Sequence, residues 1–402
     1  MNSRERVLAA LRFEEADRVP IDLGSHRSTG IHAGAYSRLR RHVGLPEKRP
    51  RLYDVMQQLA DVDEDVLDRF HCDVVQIHRL RPAFGFSIKN WKEMELPDGT
   101  PALVPADYAP EPAPQGGWHL DGPDGGRYYM PSDGNYFEAV EAPLSDSPTE
   151  KDVDALPWDD LEPADVDFVV RQCRAVREKT DRASLVIFGG NILEAGNGAF
   201  GFQNFMCQLA ANPAIVGYYL ERLTETYLRR LETFLPAVEG LVDIISVGDD
   251  LGGQGGPLVS PAMYRRLIKP FQKRVYEHIR NHSSAYLFLH SCGSVSAILD
   301  DLIEIGVQIF NPVQTSAANM DPAELKRRWG KNLVFWGGGC DTQRILPRGA
   351  PEEVARDVRE RVEIFKPGGG FVFTQIHNIL AGVPPENVVA MFDAAYEFGT
   401  YG

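Results

Sequence analysis

Short, almost continuously apolar runs alternate along most of this chain with longer stretches in which apolar positions recur every three or four residues. The runs are Arg18 to Gly24, Asp73 to His78, Ser184 to Gly190, Val242 to Asp250, Ala285 to His290, Val307 to Pro312, Leu333 to Gly338 and Phe371 to His377. They are rich in β-branched and aromatic residues and do not alternate with polar ones, a pattern that predicts parallel strands covered on both faces. The stretches between them carry helix-end signals. Ser260 followed by Pro261 opens a helix over "PAMYRRLIKPFQKRVYEHIR", Gly306 closes "SAILDDLIEI", and two later helices begin at Pro351 and Pro384. Eight strand positions with helices between them predict an α/β fold, a (β/α)8 TIM barrel, as a single domain over residues 1–402. An open doubly wound sheet is the alternative topology.

One region breaks this rhythm. From about residue 84 to 144 the chain is rich in Gly, Pro and Asp, with Asp-Gly pairs set between alternating aromatic runs. Such pairs predict hairpins, so a β-rich insertion is expected between the second and third barrel strands, placed to serve as a lid.

Composition narrows the class. Of 402 residues, 43% are hydrophobic and 25% charged, as in an ordinary globular enzyme. The net charge of -15 argues against nucleic acid as a partner, because phosphates would be repelled. No apolar run approaches the roughly 18 residues of a membrane span. The opening "MNSRERVLAALRFEEADRVP" reads as an amphipathic helix and not a signal peptide. Five cysteines without regular spacing make no disulfide framework, so a reducing, cytoplasmic setting is expected.

The chemistry gathers where the runs end. In a barrel of this kind the active site lies at the carboxyl ends of the strands. The residues following the runs are "GSHRSTGIH", "HRLRP", "GGNILEAG", "GDDLGGQGG", "HSCGS", "NPVQTS", "GGGCDTQ" and "TQIHN". His290 and Cys292 leave the fifth run and Cys340 the seventh, so a barrel would bring all three to one rim. One imidazole and two thiolates form a borderline-soft set suited to Zn²⁺, with the fourth position open or filled by Asp249, Asp250 or Glu194. The competing reading makes them a core histidine and small buried hydrophobes, the reading kept for Cys72, Cys173 and Cys207. Asp249, Asp250 and His377 are the acid–base candidates, and His26, His78, Asn191, Glu194 and Gln375 the substrate-binding ones. Asp249 and Asp250 have a second reading as turn caps. No phosphate-binding glycine loop is present.

The segments "RERVLAALRFEEADRVPI", "GDDLGGQGGPLVSPAMYRRLIKP", "HSCGSV", "ILDDLIEIGVQIFNPVQ" and "GGFVFTQIHNILAGVPPENV", in this order, resemble the uroporphyrinogen decarboxylase superfamily over nearly the whole chain. The resemblance implies a (β/α)8 barrel and two possible chemistries. Decarboxylases carry an arginine-bearing "R-Q-A-G-R" segment after the first strand and an aspartate at the end of the second. Here those positions read "GSHRSTG" and His78, although His377 falls where the decarboxylases have a histidine. The cobamide-dependent methyltransferases bind zinc through H-x-C and a distant cysteine. His290 and Cys292 match that motif, while the last-strand loop has "TQIHN" and no cysteine, which makes Cys340 the expected replacement. This resemblance implies zinc-dependent methyl transfer between a small methylated compound and a corrinoid carried by a partner protein. An aromatic methyl ether is the first expectation, with Trp118, Tyr128, Tyr129 and Tyr136 of the insertion available to cover a flat ring. Decarboxylation of an acidic tetrapyrrole, or a non-catalytic sensor of corrinoid or small ligand, are the alternatives.

Overall fold

A strand covered on both faces should be buried along its length, and seven of the apolar runs are. In a computed structural model describing residues 1–122, 125–144 and 147–402, they form β1 (Val74–Ile77), β2 (Ala183–Gly189), β3 (Ile244–Gly248), β4 (Tyr286–His290), β5 (Ile309–Asn311), β6 (Val334–Trp336) and β7 (Phe371–Val372). Positions 123 and 124, at one of the Asp-Gly turns expected in the insertion, lie outside the described residues. The strands are parallel and follow one another around the sheet in chain order.

The first run is too short to be a strand, because Pro20 has no N–H to give to a ladder. It nevertheless fills the eighth position. The Phe373 amide donates to the Pro20 carbonyl at 2.8 Å and the Asp22 amide to the Phe373 carbonyl at 2.9 Å, while on the other side the Asp73 amide donates to the Ile21 carbonyl at 2.7 Å. The sheet thus closes into a (β/α)8 barrel. Fully buried Asp73 locks the seam, accepting from the Ile21 amide at 2.8 Å, Arg6 Nη1 at 2.6 Å and Arg18 Nη1 at 2.7 Å.

Helix α1 (Ser3–Leu11) is capped by Asn2, whose side chain accepts from the Glu5 amide at 2.8 Å. It buries Val7, Ala10 and Leu11 against the inward side chains of the strands, among them Leu185, Ile244, Phe288, Ile309 and Trp336. The amphipathic amino-terminal segment is therefore a plug in the floor of the barrel, which leaves the carboxyl ends of the strands as the open end. The expected helix after Ser260 begins as read, with the Ser260 hydroxyl accepting from the Met263 amide at 3.2 Å. It splits at Ile268 into Pro261–Leu267 and Lys269–His282, since Pro270 cannot donate backward and its ring clashes with the carbonyl four residues earlier.

Among the described residues the strands of the insertion pair with one another antiparallel. Trp91–Glu95 pairs with Pro101–Pro105, and Glu111–Pro112, Trp118–Asp121, Arg127–Met130 and Glu138–Glu141 form a four-stranded sheet. Among the described residues no helix is long and apolar enough to cross a membrane.

Candidate active site

Register decides what meets at the barrel mouth. Gly248 of β3 pairs with His290 of β4, and His290 with Asn311 of β5, so three strand ends stand in one row. Beyond that row the loops following β3 and β4 touch backbone to backbone. Gly293 has φ +82°, and a Cβ there would lie 2.3 Å from the Gly252 carbonyl carbon, so a side chain at either glycine would push the loops apart. Their contact lets the Cys292 amide donate to Asp250 Oδ1 at 2.8 Å.

The result is a three-residue cluster. One ligand atom each from His290, Cys292 and His377 lies within 4.8 Å of the others, with Cys292 Sγ 3.5 Å from His290 Nε2. Two asparagines fix which ring nitrogens carry protons. Asn311 donates through Nδ2 to the Trp336 carbonyl at 2.8 Å, so its Oδ1 is the acceptor for His290 Nδ1 at 2.7 Å and for the Ser28 hydroxyl at 2.7 Å. Asn378 donates through Nδ2 to Gln57 at 2.8 Å and accepts from His377 Nδ1 at 2.9 Å and from the Tyr136 hydroxyl at 2.7 Å. With both Nδ1 atoms protonated, both Nε2 atoms present lone pairs. Burial, then the neighbouring His290, lower the His377 pKa to about 4, which keeps that ring neutral. Burial also raises the Cys292 thiol well above its ordinary value, and the Asp250 and Glu194 carboxyls add to the shift. Two imidazole lone pairs and a thiol facing one another with acids alongside have few donors to satisfy them. A divalent cation would satisfy all of them, so the donor set fits zinc.

Cys340 is not in this cluster, contrary to the expectation that it is the third ligand. The chain after β6 runs on beside the segment after β7, with the Gly339 amide donating to the Thr374 carbonyl at 3.0 Å and the Ile376 amide to the Cys340 carbonyl at 3.1 Å, so the direction of the side chain decides. The Cys340 side chain is fully buried toward Asp357 of the helix Pro351–Phe365, whose charge helps burial to raise its thiol. His377, expected as an acid–base group, stands in the cluster instead.

The adjacent carboxylates part company for a similar reason, since successive side chains leaving a strand face opposite ways. Asp250 faces the mouth, with Oδ1 3.6 Å from His290 Nε2. Asp249 does not line the cavity, contrary to the catalytic role expected of it. It is fully buried and caps helix α2 (Leu193–Phe200), accepting from the amides of Ile192 at 3.0 Å, Leu193 at 2.9 Å and Glu194 at 2.8 Å, and from Gln272 Nε2 at 2.8 Å. The cap holds Glu194 in place. Burial first, and then the Asp250 charge, raise the Glu194 pKa.

The cavity beside the cluster has a volume of about 280 Å³. His26, His78, Asn191, Glu194, Asp250, His290 and His377 all line it, as expected of strand-end residues. Gln375 does not. It is fully buried behind the mouth, with its Oε1 accepting from the Thr374 hydroxyl at 3.0 Å. Trp118, Tyr128 and Tyr129 are also absent from the wall. Tyr128 packs edge-on against Phe84 with ring centroids 4.6 Å apart, and of the four aromatics only Tyr136 reaches the site, through Asn378. Residues without an expected role complete the wall, notably Tyr53, Gln76 and Arg79. Arg79 had a signal, since it follows His78 at a strand end. Tyr53 sits in a short hairpin, Leu52–Asp54 against Leu59–Ala60, which carries no barrel periodicity.

The fold is a barrel whose open end gathers these side chains on the loops after its strands. The family model for uroporphyrinogen decarboxylase (URO-D) matches residues 135–398, and the chain belongs to that family. The uroporphyrinogen decarboxylase of Syntrophotalea carbinolica is 26% identical over 63% of this chain and 72% of its own. That of Anaeromyxobacter dehalogenans is 24% identical over 98% of this chain and 99% of its own. Among solved structures, a methyltransferase from Methanosarcina mazei shares the fold over 99% of both chains, with a TM-score of 0.61 and 18% identity.

Proposed function

We propose that this protein is a zinc-dependent methyltransferase that moves a methyl group between a small methylated compound and a corrinoid carried by a partner protein. The observation that carries the reading is the convergence of His290 Nε2, Cys292 Sγ and His377 Nε2 beside a cavity at the barrel mouth. Zinc held there would supply Lewis acidity to the heteroatom that carries the methyl group. Asn311 and Asn378 hold the two imidazoles in the tautomer that binds a cation. Asp250 is placed to complete the coordination, and Glu194, whose pKa burial raises, to donate a proton to the heteroatom that loses its methyl group. A cavity of about 280 Å³ suits a small molecule better than a macrocycle.

Decarboxylation is the second reading, favoured by the name that the 24% and 26% identical relatives carry and by a histidine at position 377. Against it stand "GSHRSTG" in place of "R-Q-A-G-R" after the first strand and His78 in place of the aspartate after the second. Elemental analysis of the purified chain, paired with turnover, separates the two. About one zinc per chain, lost in Cys292→Ser, together with methylation of free cob(I)alamin by methoxy compounds, is the expected result. A zinc-free chain that releases carbon dioxide from uroporphyrinogen refutes the proposal. Zinc without turnover of any methyl donor would instead point to a ligand-binding sensor.

A further inference from the structure

Three arginines line the cavity, and two of them are already neutralised. Arg27 pairs with Asp54. Arg81 pairs with Asp165 at 2.7 Å and Glu162 at 3.1 Å. Arg79 is the exception. Its Nη1 donates to the Phe188 carbonyl at 3.2 Å, and among the described residues no carboxylate forms an ion pair with it. Burial, and then the nearby Arg230, lower its pKa, and the charge of Asp165, which is paired with Arg81, offsets them only in part.

The polar groups that share this wall are short of partners too. The Tyr53 hydroxyl is buried in a residue only 3% exposed and sits by the Gln76 amide without closing a hydrogen bond to it. His78 gives Nε2 to Asp61 Oδ1 at 3.1 Å, which leaves its buried Nδ1 without a partner. A half-buried cation with no ion-pair partner of its own, beside buried hydrogen-bonding groups, is unfavourable unless a ligand completes it. A planar monoanion accepting from a guanidinium fork would do so.

We propose that Arg79, assisted by Tyr53, is the anchor for a carboxylate on the small substrate. Resting on the methyl-transfer reading, this makes the donor a methylated carboxylic acid, with its acid group at Arg79 and its methylated heteroatom toward the His290–Cys292–His377 cluster. The strand-end arginine would then select against neutral methylated compounds of the same shape, which leave the guanidinium unpaired.

The test measures binding and not turnover, so it stays readable whether or not methyl transfer occurs. The zinc-supplemented full chain is titrated calorimetrically with benzoate and with benzamide, its neutral isostere. Benzoate is expected to bind on the order of tenfold to a hundredfold more tightly. Arg79→Gln should abolish that preference and Arg79→Lys should keep part of it. Cys292→Ser should leave it intact, because the acid does not sit on the metal. If Arg79→Gln fails to fold by circular dichroism, Tyr53→Phe serves, weakening benzoate several-fold without affecting benzamide. The proposal falls if benzoate does not bind, if benzamide binds equally well, or if the preference survives Arg79→Gln. It also falls if the preference disappears in Cys292→Ser.

Discussion

Replacing Asn311 with leucine removes the side chain that holds His290 Nδ1. Asn311 is fully buried and makes three hydrogen bonds, to His290 Nδ1 at 2.7 Å, the Ser28 hydroxyl at 2.7 Å and the Trp336 carbonyl at 2.8 Å. Each buried group left unsatisfied costs about 1–3 kcal/mol. Ser28 keeps a contact to His26 at 2.9 Å, so the net loss of stability should be roughly 3 kcal/mol. The effect on metal is separate. With Nδ1 no longer held, His290 is free to rotate or change tautomer, and zinc affinity should fall about 10–100-fold. Asn311→Asp divides the two effects. It keeps an acceptor for Nδ1 while setting a carboxylate oxygen against the Trp336 carbonyl, so stability should fall while zinc affinity holds. The assays are denaturant unfolding of the metal-free chain and competition for zinc with a chromophoric chelator. A leucine variant that binds zinc as tightly as the parent would refute the argument that Asn311 presents the His290 lone pair.

Three further outcomes are expected. Cys340→Ser should keep full zinc occupancy in elemental analysis and lose about 1 kcal/mol of stability, because the side chain faces Asp357 and not the cluster; loss of zinc would reinstate it as a ligand. Gly293→Ala should destabilise by roughly 2–4 kcal/mol in urea melts, since the new Cβ would sit 2.3 Å from Gly252 on a residue with φ +82°. His32 accepts from the Gly34 amide at 3.1 Å, and burial lowers its pKa to about 4. The unfolded ring titrates near 6.5, so below that pH the unfolded chain binds the extra proton and folding weakens. The stabilisation is complete above about pH 6.5 and is lost by about pH 4, roughly 3 kcal/mol. His32→Asn, which keeps a cap acceptor without the titration, should flatten that part of the stability–pH curve. An unchanged slope would rule the histidine out.

The barrel was legible because each strand is buried on both faces, and such burial writes an unbroken apolar run that no other element of that length needs. His290 and Cys292 could be read for a related reason, as they stand at the end of such a run. Cys340 was misplaced because reaching the rim does not decide which way a side chain faces. The chain after β6 runs on beside the segment after β7, with the Ile376 amide donating to the Cys340 carbonyl at 3.1 Å, but the cysteine side chain faces Asp357 of the helix Pro351–Phe365 and not the cluster. The pair Asp249–Asp250 carried both expected roles, a cap and a mouth-facing acid, but two like residues in sequence do not say which is which. Tyr53 and Gln57 were out of reach. They come from a hairpin outside the strand–helix rhythm, and only its packing, with Phe137 bonded to the Met56 carbonyl at 3.0 Å, carries it to the mouth.

The helix that plugs the floor with Val7, Ala10 and Leu11 bears on the order of events at the far end. A barrel stoppered below opens at its mouth, and in the proposed reaction the small substrate and a protein carrying the other reactant would share that opening. A docked macromolecule would seal the small molecule in or out. On the proposed methyl transfer, loading would come before docking, and the demethylated product would leave only after the larger partner had undocked. Such a sequence has a kinetic signature: excess partner protein should inhibit by capping empty barrels, and excess small substrate should relieve that inhibition.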